Sequence, residues 1–339
     1  MHRGELVTMI KKVVITAYGD ESKLAIVECD LSEPAARQVQ LTVDFTIVSG
    51  SDVNMRRGTY PFQRKPPLTP GYSVIGKVCV NGKDCSAFKV GDRVASLSKY
   101  EGQAERVNLP EKYLVRVPNG VDGRTGVALI LDWATAYQML HRATHVTAGQ
   151  KIFVHALSGA VGGALLRLGQ LQGVQVFGTA SLKRHAELRQ LGAVPFDYAT
   201  KSWIAAMQEL GGIDAVFDPL GFESFDESYS ILKKGGILVG YGMNLPAWTG
   251  TPERSVIPSV LKLLAKNLLF WSGKRSTFFG VSRSSKHYAR DLEQLFAWLK
   301  EGRICVPIKA TFKLDEIQQA HRDYARSARM GSIVIEVSR

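Results

Sequence analysis

Two rhythms of apolar and polar positions divide this chain. Up to about residue 121, short runs rich in Val, Ile and Leu (12–17, 38–45, 73–80, 93–96 and 113–116) alternate with turn clusters at 18–20, 81–83, 90–92 and 118–120. Many short strands with such turns predict a small, barrel-like β domain. Beyond residue 121 the rhythm changes. An Ala/Leu-rich helix is expected over 126–141. Strands at 152–154, 174–179, 194–196, 214–217 and 237–241 then alternate with helices at 161–172, 182–191, 202–210 and 224–232. Strand–helix alternation at this spacing predicts an α/β fold with a doubly wound parallel sheet. Residues 242–283 are interrupted by Pro and Gly, with a helix at 260–267. A periodic helix covers 288–301, and 310–312 and 332–337 return to β character, as expected of a tail rejoining one of the sheets. The predicted organisation is 1–121, 122–267 and 268–339.

The stretch Lys151-Ile-Phe-Val-His-Ala-Leu-Ser-Gly-Ala-Val-Gly-Gly is the pivot of the second rhythm. An apolar strand runs into small residues and then into a helix with Val161, Ala164, Leu165, Leu168 and Leu171 on one face. Ser158, Gly159, Ala160, Val161 and Gly162 let backbone N–H groups approach a ligand, and the helix N-terminus adds partial positive charge suited to a pyrophosphate. The spacing Ala-x-x-Gly-x-Val-Gly falls short of the full dinucleotide fingerprint, and a ligand-free strand-to-helix turn also explains it. The segment Gly178-Thr-Ala-Ser-Leu-Lys-Arg-His185 bears on the choice. An acid here would hold the ribose 2′-hydroxyl of NAD. None is present, and Ser181, Lys183 and Arg184 offer a hydroxyl and two cations to a 2′-phosphate. The expected cofactor is therefore NADPH, the alternative being a solvated helix start.

Bulk properties narrow the class. A chain of 339 residues with 45% hydrophobic and 22% charged residues has the composition of a soluble globular protein with room for two cores. No apolar run reaches the roughly 18–20 residues that span a bilayer, and the first nine residues lack the apolar core of a signal peptide. The expected location is cytoplasmic. Cys29, Cys79, Cys85 and Cys305 form no Cys-x-x-Cys pair and read as reduced thiols. The net charge of +12 comes from dispersed Lys and Arg, a weak footprint for nucleic acid or an anionic membrane surface.

Several further segments, in order, carry a family resemblance: Ser51-Asp-Val-Asn-Met-Arg-Arg-Gly-Thr-Tyr-Pro61, Pro70-Gly-Tyr-Ser-Val-Ile-Gly76, Phe88-Lys-Val-Gly-Asp-Arg-Val94, Ala134-Thr-Ala-Tyr137, Leu191-Gly-Ala193, Phe196-Asp-Tyr198, Asp218-Pro-Leu-Gly221 and Gly235-Gly through Tyr241-Gly242. With the 152–163 turn they run nearly end to end, and the chain resembles the zinc-independent medium-chain dehydrogenases/reductases of the quinone oxidoreductase and enoyl reductase group. The resemblance implies a GroES-like β domain split in sequence around a Rossmann domain, and a homodimer. The zinc-dependent branch has a Cys near position 49 and a His-Glu pair after Gly71. Ser49, Tyr72 and Ser73 stand there instead, and none is a good zinc ligand; the four-cysteine zinc lobe is also missing.

What remains is hydride delivery from NADPH to a quinone or an α,β-unsaturated carbonyl compound. Tyr60 matches the tyrosine that donates a proton in the resembling enoyl reductases, and an aromatic packing in a Pro-rich loop is the plainer reading. The resemblance puts Ser49 near the nicotinamide, with Thr135 also against it, and Tyr198 near the adenine-ribose phosphate. Asp52 reads as a cap. Leu220, Gly221, Tyr241 and Gly242 follow strand ends, where ligands sit in an open parallel sheet. Departures from the family pattern are Glu101-Gly-Gln-Ala-Glu-Arg106 and the Asp132-Trp133 pair, with Trp133 read as filling the domain interface, the alternative being a narrowed substrate channel. Trp271, Phe278 and Phe279 read as pocket lining or core, and the scattered histidines give no Ser–His–Asp arrangement. Two alternatives stand beside the main reading: an enoyl-thioester reductase in a biosynthetic pathway, and an NADPH-binding interaction protein with an RNA or membrane partner.

Overall fold

The computed structural model describes residues 8–252, 254–326 and 330–338. The first seven residues, part of the segment without a signal-peptide core, lie outside these. Contacts group the chain into two compact units: up to Ala134 together with Ser282 onward, and Thr135–Val281. The sequence reading put the divisions at 121/122 and 267/268. The helix Gly123–Ala128 packs on strands Gln38–Val48, Val74–Asn81 and Ser332–Glu336, which draws it into the first unit. Strand Arg275–Phe278 pairs with Leu232–Gly240, which keeps it in the second.

In the first unit the described residues form a seven-stranded sheet. Its order is Ile308–Lys313, Ser332–Glu336, Gln38–Val48, Val74–Asn81, Arg93–Ser96 and Val115–Arg116, with Arg106–Pro110 paired to Gln38–Val48. A hairpin of Thr8–Ile15 and Leu24–Leu31 stands beside it. The tail rejoins the N-terminal strands, Ser332–Glu336 lying antiparallel to Gln38–Val48. Val39, Leu41, Val43, Val74, Val78, Val94, Val107 and Leu109 close the core. Trp133 is buried at 2% exposure.

In the second unit six parallel strands lie in the order Val194–Asp197, Gln175–Ala180, Lys151–Val154, Ile213–Asp218, Leu232–Gly240, Arg275–Phe278. Numbered along the chain this is 3-2-1-4-5-6, the doubly wound order that binds ligands beyond the carboxyl ends of the strands, where the order reverses. The strands are apolar because both faces are covered. Phe153, Phe177, Trp203, Met207, Val216, Phe225 and Leu238 form one cluster, each fully buried large side chain contributing about 2 kcal/mol. The expected helix at 126–141 is present and runs without a break from 123 to 144, α-helical at Gly123–Ala128 and Ala134–Gln138 and widened to π-helix at Leu129–Trp133 and Met139–Thr144. Among the described residues no helix is long and apolar enough to cross a membrane.

Candidate active site

The glycine-rich turn takes its shape from close backbone packing. Strand Lys151–Val154 ends at His155, and Ala156 follows with φ +57°. The N–H of Gly159 donates to the Ala156 carbonyl at 2.8 Å. A Cβ on Gly162 would lie 2.2 Å from that carbonyl oxygen, so no larger residue fits. The helix Ala160–Leu171 starts from Gly159 without a side-chain cap. The N–H groups of its first turn are thus left for an acceptor from outside the helix, as an anion site requires. Ser158, Ala160 and Val161 are partly exposed there, Gly159 is exposed and Gly162 is buried.

A buried polar chain lies under this turn, and sequence reasoning missed it. Ser228 Oγ donates to Asp218 Oδ2 at 2.7 Å. With its one hydrogen committed, Ser228 accepts from His155 Nε2 at 3.0 Å, so Nδ1 accepts from Thr179 Oγ1 at 3.1 Å. Thr179 Oγ1 in turn accepts the Ala156 N–H at 3.3 Å. Burial pulls the His155 imidazole below its ordinary pKa and keeps it neutral, as this order of donors demands. Asp218 also accepts from the N–H groups of Leu220 at 2.7 Å and Gly221 at 3.3 Å, and from Ser224 Oγ at 2.7 Å. One oriented chain thus ties the glycine turn to the loop after strand Ile213–Asp218. The next loop is tied in as well: Tyr241 N–H donates to Asp218 O, and Asn244 N–H to Pro219 O, each at 3.0 Å. Gly242 packs so closely on Pro219 O that a Cβ would lie 2.6 Å away. Gly159–Gly162, Leu220, Gly221, Tyr241 and Gly242 are therefore gathered at the carboxyl edge of the sheet. The polar chain was hidden because its members are far apart in sequence, and His155 sits at the end of an apolar run.

Beyond strand Gln175–Ala180 no carboxylate stands where an NAD-binding acid would. Arg184 is 13% exposed and pairs through Nη1 with Glu187 at 2.6 Å. Its Nη2 is buried without a hydrogen-bond partner. Ser181 precedes the 3₁₀ turn Leu182–Arg184, and Lys183 is exposed. Tyr198 is 58% exposed after strand Val194–Asp197. Thr135 is buried on the helical segment Ala134–Gln138. Trp271 is 70% exposed, so it is not core.

The first unit carries its own constellation. Ser49 caps the helix Gly50–Arg57, and Asp52 completes a capping box. Ser49 Oγ donates to Asp52 Oδ2 at 2.6 Å, and Asp52 Oδ1 accepts from Gly71 N–H at 2.8 Å. Capping is thus shared between Ser49 and Asp52, and the Ser49 hydroxyl already has a partner. Burial raises the Asp52 carboxyl above its usual range, against the lowering by these bonds. Gly71, at φ +116°, has no room for a Cβ, which would lie 2.2 Å from Gln103 N. The next residue, Tyr72, is buried, and its hydroxyl lies 2.8 Å from that of half-buried Tyr60. Lys99 Nζ lies 5.7 Å from the centre of the Tyr60 ring. Among the described residues no three His, Cys, Asp or Glu side chains gather as a metal-ligand set.

Comparison with known proteins matches residues 35–128 to the alcohol dehydrogenase GroES-like domain and residues 191–335 to the family described as zinc-binding dehydrogenase. The chain is 31% identical to the synaptic vesicle membrane protein VAT-1 homolog of Danio rerio, over 96% of this chain and 69% of that one. It is 28% identical to a quinone oxidoreductase of Pseudomonas aeruginosa, over 96% and 99%. A mycobacterial protein solved as its complex with NADPH is 25% identical, covers 97% of this chain and 100% of that one, and superposes with a TM-score of 0.83. The order of segments, the doubly wound sheet and these matches agree: the chain belongs to the medium-chain dehydrogenase/reductase superfamily of oxidoreductases.

Proposed function

We propose that this protein is an NADPH-dependent, zinc-independent oxidoreductase that delivers a hydride to a quinone or to an α,β-unsaturated carbonyl compound. The observation that carries the reading is the pairing of an uncapped helix N-terminus at Gly159–Gly162 with the buried, partnerless Nη2 of Arg184. An anion of the size of a pyrophosphate suits the first, and a 2′-phosphate suits the second. NADPH in the related mycobacterial structure supports the same choice. Ser49, Tyr72 and Ser73 at the zinc-ligand positions of the wider family support chemistry without that metal.

Bound NADPH supplies the hydride. The chain's own residues do the rest. The first-turn N–H groups of the helix Ala160–Leu171 would hold the pyrophosphate, and Arg184, with Ser181 and Lys183, would hold the 2′-phosphate. The polar chain from Ala156 to Asp218 fixes the loop at Leu220 and Gly221, which would line the cofactor site. Thr135, by the family resemblance, would orient the nicotinamide. Tyr60 gives a proton to the carbon or oxygen left electron-rich by reduction.

The test is NADPH oxidation, followed by absorbance, with a panel of quinones and a panel of enones and enoyl thioesters. Turnover on either panel is expected. Turnover confined to enoyl thioesters would favour a biosynthetic enoyl reductase. NADPH binding without turnover on any of them would overturn the reading.

A further inference from the structure

The Tyr60–Tyr72 pair holds one more piece of chemistry. Its hydroxyls are 2.8 Å apart and its rings meet edge to face, with centroids 6.1 Å apart. Among the described residues the Tyr72 hydroxyl has no hydrogen-bond partner except Tyr60, and Tyr72 is only 7% exposed. A buried hydroxyl proton must be given to some acceptor. The Tyr60 oxygen is the acceptor in reach.

We propose that Tyr72 is a positioning residue which donates its hydrogen bond to the Tyr60 oxygen, so that the Tyr60 proton points away from the pair and toward a substrate. This rests on the proposed reduction of an α,β-unsaturated carbonyl compound. Hydride adds at the β-carbon, and the electron pair of the double bond moves to give an enolate. The Tyr60 O–H bond then breaks, its electron pair stays on oxygen, and the proton forms the new C–H bond at the α-carbon. The phenolate left on Tyr60 is held by the Tyr72 O–H and by the Lys99 ammonium 5.7 Å from its ring, and it recovers a proton from water.

The groups that face the pair agree with this order. Burial raises Tyr60, and the Tyr72 bond draws it back down; burial raises Tyr72 further, and the neighbouring Tyr60 adds to the rise. Asp52 and Tyr100 oppose ionisation of both rings, so neither promotes transfer from Tyr72 rather than Tyr60. Lys99 also lies 5.6 Å from the Tyr100 ring, and Arg64 covers that ring at 4.6 Å. Tyr60 is therefore the member that gives up its proton.

The test compares wild type, Tyr60→Phe and Tyr72→Phe in the full chain by ultraviolet titration of tyrosine ionisation and by kinetics with an enone and a quinone. The difference between wild type and Tyr60→Phe isolates the Tyr60 ionisation. In Tyr72→Phe that ionisation should move up by about one unit. Enone kcat should fall about tenfold with KM unchanged, and the solvent deuterium isotope effect should rise. Should Tyr72→Phe not fold, Lys99→Gln must move the Tyr60 ionisation in the same direction by a smaller amount. An unmoved Tyr60 ionisation overturns the pairing. A wild type that turns over no enone overturns the reaction instead, and the titration, which needs no substrate, separates the two failures.

Discussion

The polar chain of the second unit and the tyrosine pair of the first are both hydrogen-bonded networks, and they differ in what they leave unused. From Ala156 through Thr179, His155 and Ser228 to Asp218, each donor has an acceptor and the direction of each bond is fixed. Such a network has no capacity left for a substrate. It holds backbone, and through backbone it shapes two loops at the carboxyl edge of the sheet. The pair Tyr60–Tyr72 has two hydroxyl hydrogens and one bond between them. One hydrogen is left over, on the more exposed ring. A saturated network gives rigidity, and an unsaturated one at a partly exposed position gives chemistry.

The sharpest way to break this contrast is to remove the end of the saturated chain. Asp218→Ala leaves two N–H groups and two hydroxyls without their buried acceptor. At roughly 1–3 kcal/mol for each unsatisfied group, a loss of about 4 kcal/mol in urea denaturation is expected, with NADPH binding weakened as the Leu220–Gly221 loop loosens. A stability change below about 1 kcal/mol would mean the chain carries no such load.

A smaller effect separates the units by pH. Asp132 is buried in the first unit, accepts from Ser332 Oγ, and has its carboxyl pushed up to about 6 by burial. The folded state therefore binds a proton more readily than the unfolded chain. The stability this gives is complete below the ordinary carboxyl value of 3.8 and is lost as pH rises toward about 6. Asp132→Asn cannot ionise, so it should gain on the wild type across that window, to roughly 3 kcal/mol. Denaturation at a series of pH values reads the difference, and a constant gap between the two proteins would refute it.

The same contrast explains what could be read from the sequence. Strands with both faces covered are continuous apolar runs, so Lys151–Val154 and Ile213–Asp218 stood out and their alternation with helices gave the parallel sheet, though not its strand order. Leu24–Leu31 escaped because its exposed positions, Ile26, Glu28 and Asp30, mix charge with an apolar residue on the outer face of a two-stranded hairpin. Arg275–Phe278 is a short edge strand with Arg and Ser at its start. Within the site, the glycine turn was legible because backbone packing constrains residue type locally, as at Gly162. Asp52 read correctly as part of a cap; that Ser49 shares the capping was not read, because the resemblance drew attention to its place near a cofactor instead. The chain from His155 to Asp218, and the partnership of Tyr60 with Tyr72, are products of three-dimensional register. No spacing along the sequence announces them.

The proposed selection of a 2′-phosphate by Arg184 in the second unit can be tested directly. The direct measurement is the Kd of NADPH and of NADH, by titration calorimetry, for the wild type and for Arg184→Ala. The wild type is expected to bind NADPH about tenfold or more tighter than NADH, and the variant to lose most of this preference through weaker NADPH binding, with NADH little changed. Equal affinity of the wild type for both cofactors, or a preference that survives removal of Arg184, would contradict it.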